Sequence, residues 1–354
     1  MRTYRIALIP GDGIGREVIP AARTVLDAAA RRHGFALDYT GFDWSCERYA
    51  ATGAMMPADG IETLRAYDAI LLGAVGYPGV PDHVSLWGLL IPLRREFDQY
   101  VNLRPIRVFE GVPGPLADAA GTDLVVVREN VEGEYSSVGG RAYAGTPQEM
   151  ASQQSLFTRR GIERITTYAL DLALARRGHL TSATKSNGII HTMPFWDEVV
   201  AEQVETRRAG GARLEFESEH IDALAAKIVL QPRRYDVIVA SNLFGDILSD
   251  LAAAVAGSIG IAPAGNIDPT GRHPSMFEPV HGSAPDIAGR GLANPLGTVW
   301  AGAMMLDHLG EREAGAEIVE AMTAQLAGPG SRTPDLGGSA STRDVVSELA
   351  AALT

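Results

Sequence analysis

Two aspartates four residues apart are the clearest chemical signal in this sequence. They lie in SNLFGDILSDLAA, Ser241 to Ala253, as Asp246 and Asp250, directly after the apolar run YDVIVAS. That spacing puts both carboxylates on one face of a helix, where like charges disfavour the helix by roughly a few tenths of a kcal/mol. A cation between them accounts for the arrangement; a solvated acidic face is the alternative. The apolar neighbours Ile247, Leu248, Leu251 and Ala252 favour the cation. Hard oxygen ligands, in a chain with a single cysteine, favour Mg2+ or Mn2+ over zinc.

A second set is basic. LRREFDQYVNLRP carries Arg94 and Arg104 with Arg95 between them, and VVVRENVEGEY carries Arg128. Planar guanidiniums grip carboxylates through a two-pronged fork, and a di-acid needs more than one such clamp. Taken singly, each arginine also fits a surface position. Arg128 stands out because it ends the run LVVV, and open α/β sheets bind ligands at strand ends. Tyr135 follows in the same stretch and Lys185 follows HLTSAT. Either can serve as acid or base at the mouth of a sheet when neighbouring positive charge lowers its pKa. A third stretch, FEPVHGSAPDIAGRGLANP, offers small residues, backbone donors and the acid Asp286. It can wrap an adenosine, with the carboxylate accepting from ribose hydroxyls and repelling a 2′-phosphate, which favours NAD over NADP. An ordinary loop with an Asx turn is the competing reading.

These residues need elements to hold them. Short apolar runs, RIALIP, YDAILLGAVG, DLVVVREN, GHLTSATKSN and YDVIVASN, alternate with helical patterns such as Glu17 to His33 and GIERITTYALDLALARRG. Strands separated by helices predict an α/β architecture with a largely parallel sheet. Ser341 and Asp344 form a capping-box-like start for a C-terminal helix. Two segments break the alternation: residues 133–157 suit an exposed hairpin or a surface loop, and 265–294 reads as a long irregular stretch. The opening YRIALIPGDGIGREV resembles a dinucleotide-binding turn, yet its glycines, Gly11, Gly13 and Gly15, are spaced G-x-G-x-G rather than G-x-G-x-x-G. Asp12 would also put a carboxylate beside a pyrophosphate. A Rossmann hydroxyacid dehydrogenase is disfavoured on these grounds.

Length and composition bound the answer. A chain of 354 residues suggests two domains, and 46% hydrophobic against 21% charged residues argues for packed globular structure. With a net charge of −12 and no basic run, nucleic acid is not an expected partner. The lone Cys46 excludes an intrachain disulfide and reads as a structural thiol in a reducing compartment. The charge-free stretch Leu251 to Ile267 is broken by glycines and Pro263 and falls short of the about 20 apolar residues of a spanning helix. No signal pattern opens the chain. The expectation is a soluble cytoplasmic protein with no membrane partner.

Six motifs in this order, IPGDGIG, LRREFDQYVNLRP, RENVEGEY, TKSN, SNLFGDILSDLAA and EPVHGSAPDIAG, resemble the β-decarboxylating dehydrogenases over nearly the whole chain. That family comprises isopropylmalate, isocitrate and tartrate/D-malate dehydrogenases. The resemblance implies the isopropylmalate/isocitrate dehydrogenase-like two-domain α/β fold, not a Rossmann fold. It implies a discontinuous cofactor-side domain of residues 1–98 plus 255–354, and a substrate, metal and dimerisation domain of 99–254 with a hairpin arm at about 133–157. By the same resemblance Arg94, Arg104 and Arg128 hold the carboxylates of a 2-hydroxy di-acid. Asp246 and Asp250 bind Mg2+ or Mn2+, completed by Asp222 from the partner of a homodimer, so that the active site is shared across the interface. Lys185 helps remove the hydroxyl proton and Tyr135 protonates the enolate left by carbon dioxide. The NAD loop runs from His281 through Gly282, Ser283, Ala284, Pro285, Asp286 and Ile287 to Asn294.

Substrate choice rests on DHVSLWGLLIPLRR. Isocitrate enzymes of the family carry a Ser and an Asn at the positions of Gly88 and Leu90, so isocitrate is disfavoured. Trp87 fills space that a branched alkyl group needs, and DHVSLWG with REFDQYVNLRP resembles the tartrate/D-malate branch. The expected reaction is NAD-dependent oxidative decarboxylation of D-malate and oxidation of tartrate. 3-Isopropylmalate is the runner-up, because Leu89, Leu90 and Ile91 suit an alkyl group. A core or interface anchor is the competing role for Trp87. Some family members are non-catalytic regulatory subunits, but those lack the Tyr, Lys or metal Asp residues present here.

Overall fold

The runs IALI and AILLGA are apolar at successive positions instead of alternating, and both form strands buried along their length. The computed structural model describes every residue except Ala117. In chain order the strands are β1 (Thr3–Gly11), β2 (Ala36–Gly41), β3 (Ala69–Ala74), β4 (Val101–Arg107), β5 (Asp123–Glu129), β6 (Gly139–Ala142), β7 (Met150–Gln153), β8 (His179–Thr184), β9 (Glu215–His220), β10 (Val237–Ala240), β11 (Pro263–Ile267) and β12 (Ser275–Pro279). The helices are α1 (Gly15–His33), α2 (Cys46–Thr52), α3 (Gly60–Leu64), α4 (Asp82–Ser85), α5 (Ile91–Glu96), α6 (Arg159–Ala175), α7 (Thr192–Ala209), α8 (Ile221–Leu230), α9 (Asn242–Val255), α10 (Leu296–His308), α11 (Arg312–Ala327) and α12 (Thr342–Ala352).

Two units divide the chain. Unit 1 holds Met1–Gln99, Arg107–Gly121 and Ala253–Thr354; unit 2 holds Tyr100–Ile106 and Thr122–Ala252. The structure differs from a single second span of 99–254, because Arg107–Gly121 belongs to unit 1. There Arg332 donates to Gly111 O at 2.7 Å, and Phe109 packs edge-on against Trp300.

In unit 1 the strand order is β2-β1-β3-β12-β11. β1 runs parallel to β2 and β3, β12 runs parallel to β3, and β11 is antiparallel to β12. The stretch 265–294 is therefore not wholly irregular: β12 and most of β11 lie within it, every residue of both strands buried. PAGNI and SMFEP have weak strand propensity, and pairing inside a buried sheet overrides it. In unit 2 the order is β4-β5-β10-β8-β9, with β5, β10, β8 and β9 parallel. The arm is an exposed antiparallel pair, β6 with β7. The capping box of α12 is present, Ser341 and Asp344 bonding reciprocally. No helix among the described residues is long and apolar enough to cross a membrane.

The GDGIG turn is filled by protein. Gly11 and Gly13 have positive φ, and a Cβ on either would stand 2.0 Å from a backbone oxygen, of Ala74 and Ser283 respectively. Asp12 is fully buried and accepts from the N–H groups of Cys46, Glu47 and Gly76. It ties β1 to the start of α2 and faces no open phosphate site. Burial, with Asp12 adding to it, pushes the Cys46 thiol up to about 12, which leaves it inert.

Candidate active site

Four parallel strands of unit 2 end in chemistry. Arg128 lies at the end of β5, Asn242 just beyond β10, Lys185 just beyond β8 and Asp222 just beyond β9. Parallel pairing brings these carboxyl ends to one edge, where open α/β sheets gather ligand-binding groups.

Arg128 is 1% exposed and ion-pairs with Asp246, while its Nε and Nη2 donate to Asn242 Oδ1 at 3.2 and 2.7 Å. Arg104 donates to Asn102 Oδ1 at 2.7 Å, Ser249 Oγ at 2.8 Å, Asp250 Oδ1 at 2.9 Å and Asp246 Oδ1 at 3.3 Å. One guanidinium, that of Arg104, thus reaches both aspartates. Tyr135 donates its hydroxyl to Asp246 Oδ2 at 2.9 Å, with the Arg128 guanidinium 5.5 Å from the phenol ring centre. Burial raises the Asp250 carboxyl above its ordinary range; Arg104 opposes this and the Asp246 charge adds to it. Two buried guanidiniums, a phenol and two carboxylates can hold a di-anion beside a proton donor. Of the neighbours credited with an apolar setting, Leu248 and Ala252 are buried, but Ile247 is 52% exposed.

Lys185 Nζ lies 2.7 Å from Asp222 Oδ1, and this bond holds the Asp222 carboxyl below its usual range. The pair makes no ion pair with Asp246 or Asp250 among the described residues. Nor do three His, Cys, Asp or Glu side chains of one chain, among those described, gather to hold a metal.

Arg94 belongs to unit 1, not to the Arg104–Arg128 cluster of unit 2. It is buried and donates to Glu278 Oε1 at 3.1 Å, and Glu278 also accepts from Asn266 at 2.7 Å. Trp87 occupies a π turn, Leu86–Leu90, between α4 and α5; it is 38% exposed, with the Arg95 guanidinium 5.2 Å from its ring centre. It is not a core anchor. Leu89 is wholly buried in the core cluster with Leu93 and Phe97, which takes it away from an alkyl pocket; Ile91 is buried as well. Leu89, Leu93 and Phe97 recur at helical spacing, which turns that face inward.

A mainly apolar cavity of about 760 Å³ in unit 1 is lined by Ile14, Ile259, Ile287, Leu292 and Pro334, with His281, Ala284 and Asn294. His281 Nδ1 meets Gly282 O at 3.0 Å, so it carries the proton, and Nε2 is a buried acceptor with no partner. Asn294 donates to Asp335 at 2.8 Å. Gly282, Pro285 and Asp286 are exposed and do not line the cavity; Ser283 is buried, its carbonyl accepting from Ile14 N at 2.9 Å. Residues not singled out from the sequence include Asn242, Ser249, Asn102 and Glu134. Only Asn242, next to the end of a buried apolar strand, carried a signal that could have found it.

The fold is that of a dehydrogenase family: the chain belongs to the isocitrate/isopropylmalate dehydrogenase family, whose pattern matches residues 5–349. It is an oxidoreductase of the decarboxylating dehydrogenase group. It is 55% identical to a D-malate dehydrogenase [decarboxylating] of Escherichia coli (strain K12), over 99% of this chain and 98% of that one. A probable tartrate dehydrogenase/decarboxylase of Bacillus subtilis (strain 168) is 53% identical, over 100% of this chain and 99% of that one. Among solved structures, an isocitrate dehydrogenase from Methylococcus capsulatus superposes with a TM-score of 0.89 at 34% identity, covering 99% of both chains.

Proposed function

We propose that the protein is a cytoplasmic, homodimeric NAD- and divalent-metal-dependent dehydrogenase that oxidatively decarboxylates D-malate and oxidises tartrate. The observation that carries this reading is the convergence of Arg104, Arg128 and Tyr135 on Asp246. The relatives named for D-malate and tartrate, matched over their full lengths, support the substrate class.

The donor set fits a hard divalent ion: Asp246 and Asp250 offer carboxylate oxygens on one helix face, and Asp222 of a second subunit completes it. The cavity at His281 fits an adenosine, with apolar walls and one unpartnered buried acceptor. NAD held there would supply the hydride acceptor for C2, and a divalent ion held by the aspartates would supply Lewis-acid stabilisation of charge on the C2 oxygen. Arg94, Arg104 and Arg128 orient the di-acid. Lys185 takes up the hydroxyl proton, and Tyr135 returns a proton after carbon dioxide leaves. The exposed arm, which carries the exposed Met150, supports a dimer.

The test is formation of reduced cofactor from D-malate, tartrate, 3-isopropylmalate and isocitrate with Mn2+, with NAD and again with NADP. D-malate with NAD should give the highest kcat/KM. A highest value for isocitrate, or for NADP, overturns the corresponding part of the reading. A preference for NAD that survives Asp286→Lys unchanged removes Asp286 from the ribose site.

A further inference from the structure

RENVEGEY carries three glutamates, and each carboxylate binds a different partner. Glu129 Oε1 accepts from Val131 N and Glu132 N, closing the turn on itself at 2.9 and 3.1 Å. Glu132 accepts from Thr158 N and Oγ1, at the start of α6. Glu134 reaches across to the start of α9, accepting from Ser241 Oγ at 2.7 Å and Leu243 N at 3.0 Å. The first N–H groups of a helix have no partner within it, and a carboxylate there is favoured by both hydrogen bonding and the helix dipole.

The next residue after Glu134 is Tyr135, whose hydroxyl binds Asp246, one turn into the same helix. Adjacent side chains on the loop thus grip α9 at two points. From the other side, Gln153 of β7 donates to the carbonyls of Glu134 and Ser136, at 3.3 and 2.7 Å, which flank Tyr135. The start of α9 has further anchors: Asn242 binds Arg128 and donates to Glu132 O at 3.0 Å. The Arg128–Asn242 bonds hold the start of α9 independently of the Glu134 carboxylate.

We propose that Glu134 is a positioning residue that sets the Tyr135 hydroxyl against Asp246 by anchoring the tyrosine loop to the start of α9. This rests on the reading of Tyr135 as the proton donor. A donor displaced by about 1 Å can cost up to about a hundredfold in rate. A neutral amide keeps an acceptor for Leu243 N and a partner for Ser241, so Gln should restore what Ala removes.

The test is a double-mutant cycle on the full-length protein with D-malate, NAD and Mn2+, following kcat, KM and the Mn2+ concentration for half-activity. Tyr135→Phe should lower kcat about a hundredfold. Glu134→Ala should lower it about tenfold in the wild-type background and less than about twofold beside Tyr135→Phe, because coupled residues lose an effect only once. KM and the Mn2+ requirement should stay within about threefold, and Glu134→Gln should stay within about threefold of wild type. Equal cost of Glu134→Ala in both backgrounds, or a raised Mn2+ requirement, shows a role through the helix and overturns the inference while leaving the tyrosine reading intact. A harmless Tyr135→Phe overturns the tyrosine reading and the inference with it. If Glu134→Ala does not fold, Ser241→Ala, which removes one of the two donors, replaces it in the same cycle.

Discussion

Gly245 on α9 lies against Arg128 on β5 so closely that a Cβ built on the glycine would stand 2.6 Å from Arg128 Cβ and 2.7 Å from its Cγ. The missing side chain lets the helix bring Asp246, the next residue, within ion-pairing reach of the Arg128 guanidinium. Gly245→Ala should push α9 away from β5 and lower kcat/KM by about a hundredfold, the scale of a displacement of about 1 Å at a reacting centre. Circular dichroism should show the helix content retained. Unchanged kcat/KM would mean that the contact does not set the site.

Asp250 shares the Arg104 guanidinium with Asp246. Asp250→Asn keeps the shape and removes one charge, so the Mn2+ needed for half-activity should rise at least about tenfold, a loss of about 1.4 kcal/mol in binding. Direct Mn2+ titration of the variant checks this. Full activity of the Asp250→Asn variant in the presence of a chelator would remove Asp250 from the metal site.

Trp87 is half-exposed on its π turn, so its indole can be trimmed without opening a core cavity. Trp87→Ala should shift preference from D-malate toward 3-isopropylmalate by about ten- to a few hundredfold, the worth of a few methylenes in an apolar pocket. Relative kcat/KM for the two substrates is the measurement. An equal loss toward both makes the tryptophan structural.

Burial pushes the Glu129 carboxyl from its ordinary 4.5 up to about 7, against the opposing pull of the Val131 N–H and of Arg164. Between those values the unfolded chain has released the proton while the folded chain keeps it. Stability should therefore fall as pH rises from about 4.5 to about 7, by up to about 3 kcal/mol, and level off above. Glu129→Gln keeps the acceptor for Val131 and Glu132 and carries no charge. Its Tm should match wild type near pH 4.5 and exceed it by a few degrees at pH 8; parallel Tm curves across this range would show no such titration.

Much of the scaffold was legible because local rules specify it. Buried apolar runs gave strands, helical spacing put Asp246 and Asp250 within reach of one guanidinium, and Ser341 with Asp344 capped α12. The reading failed where pairing overrode propensity, as in β11 and β12, and where one face of a segment had to be chosen. Leu89 went to the core cluster with Leu93 and Phe97.

The sequence by itself determined which residue types were available: three arginines for anions, two aspartates in helical register, and a tyrosine and a lysine near strand ends. Only the tertiary structure decided which of them meet. Asp246 binds Arg104, Arg128 and Tyr135 across 142, 118 and 111 residues of chain, whereas Arg94 pairs with Glu278 across 184. Hydrogen bonds act over about 3 Å, so these meetings depend on strand order, which no local periodicity encodes. Once β10 lies parallel to β5, Ala240 sits opposite Arg128, and the helix that follows has to start beside that guanidinium.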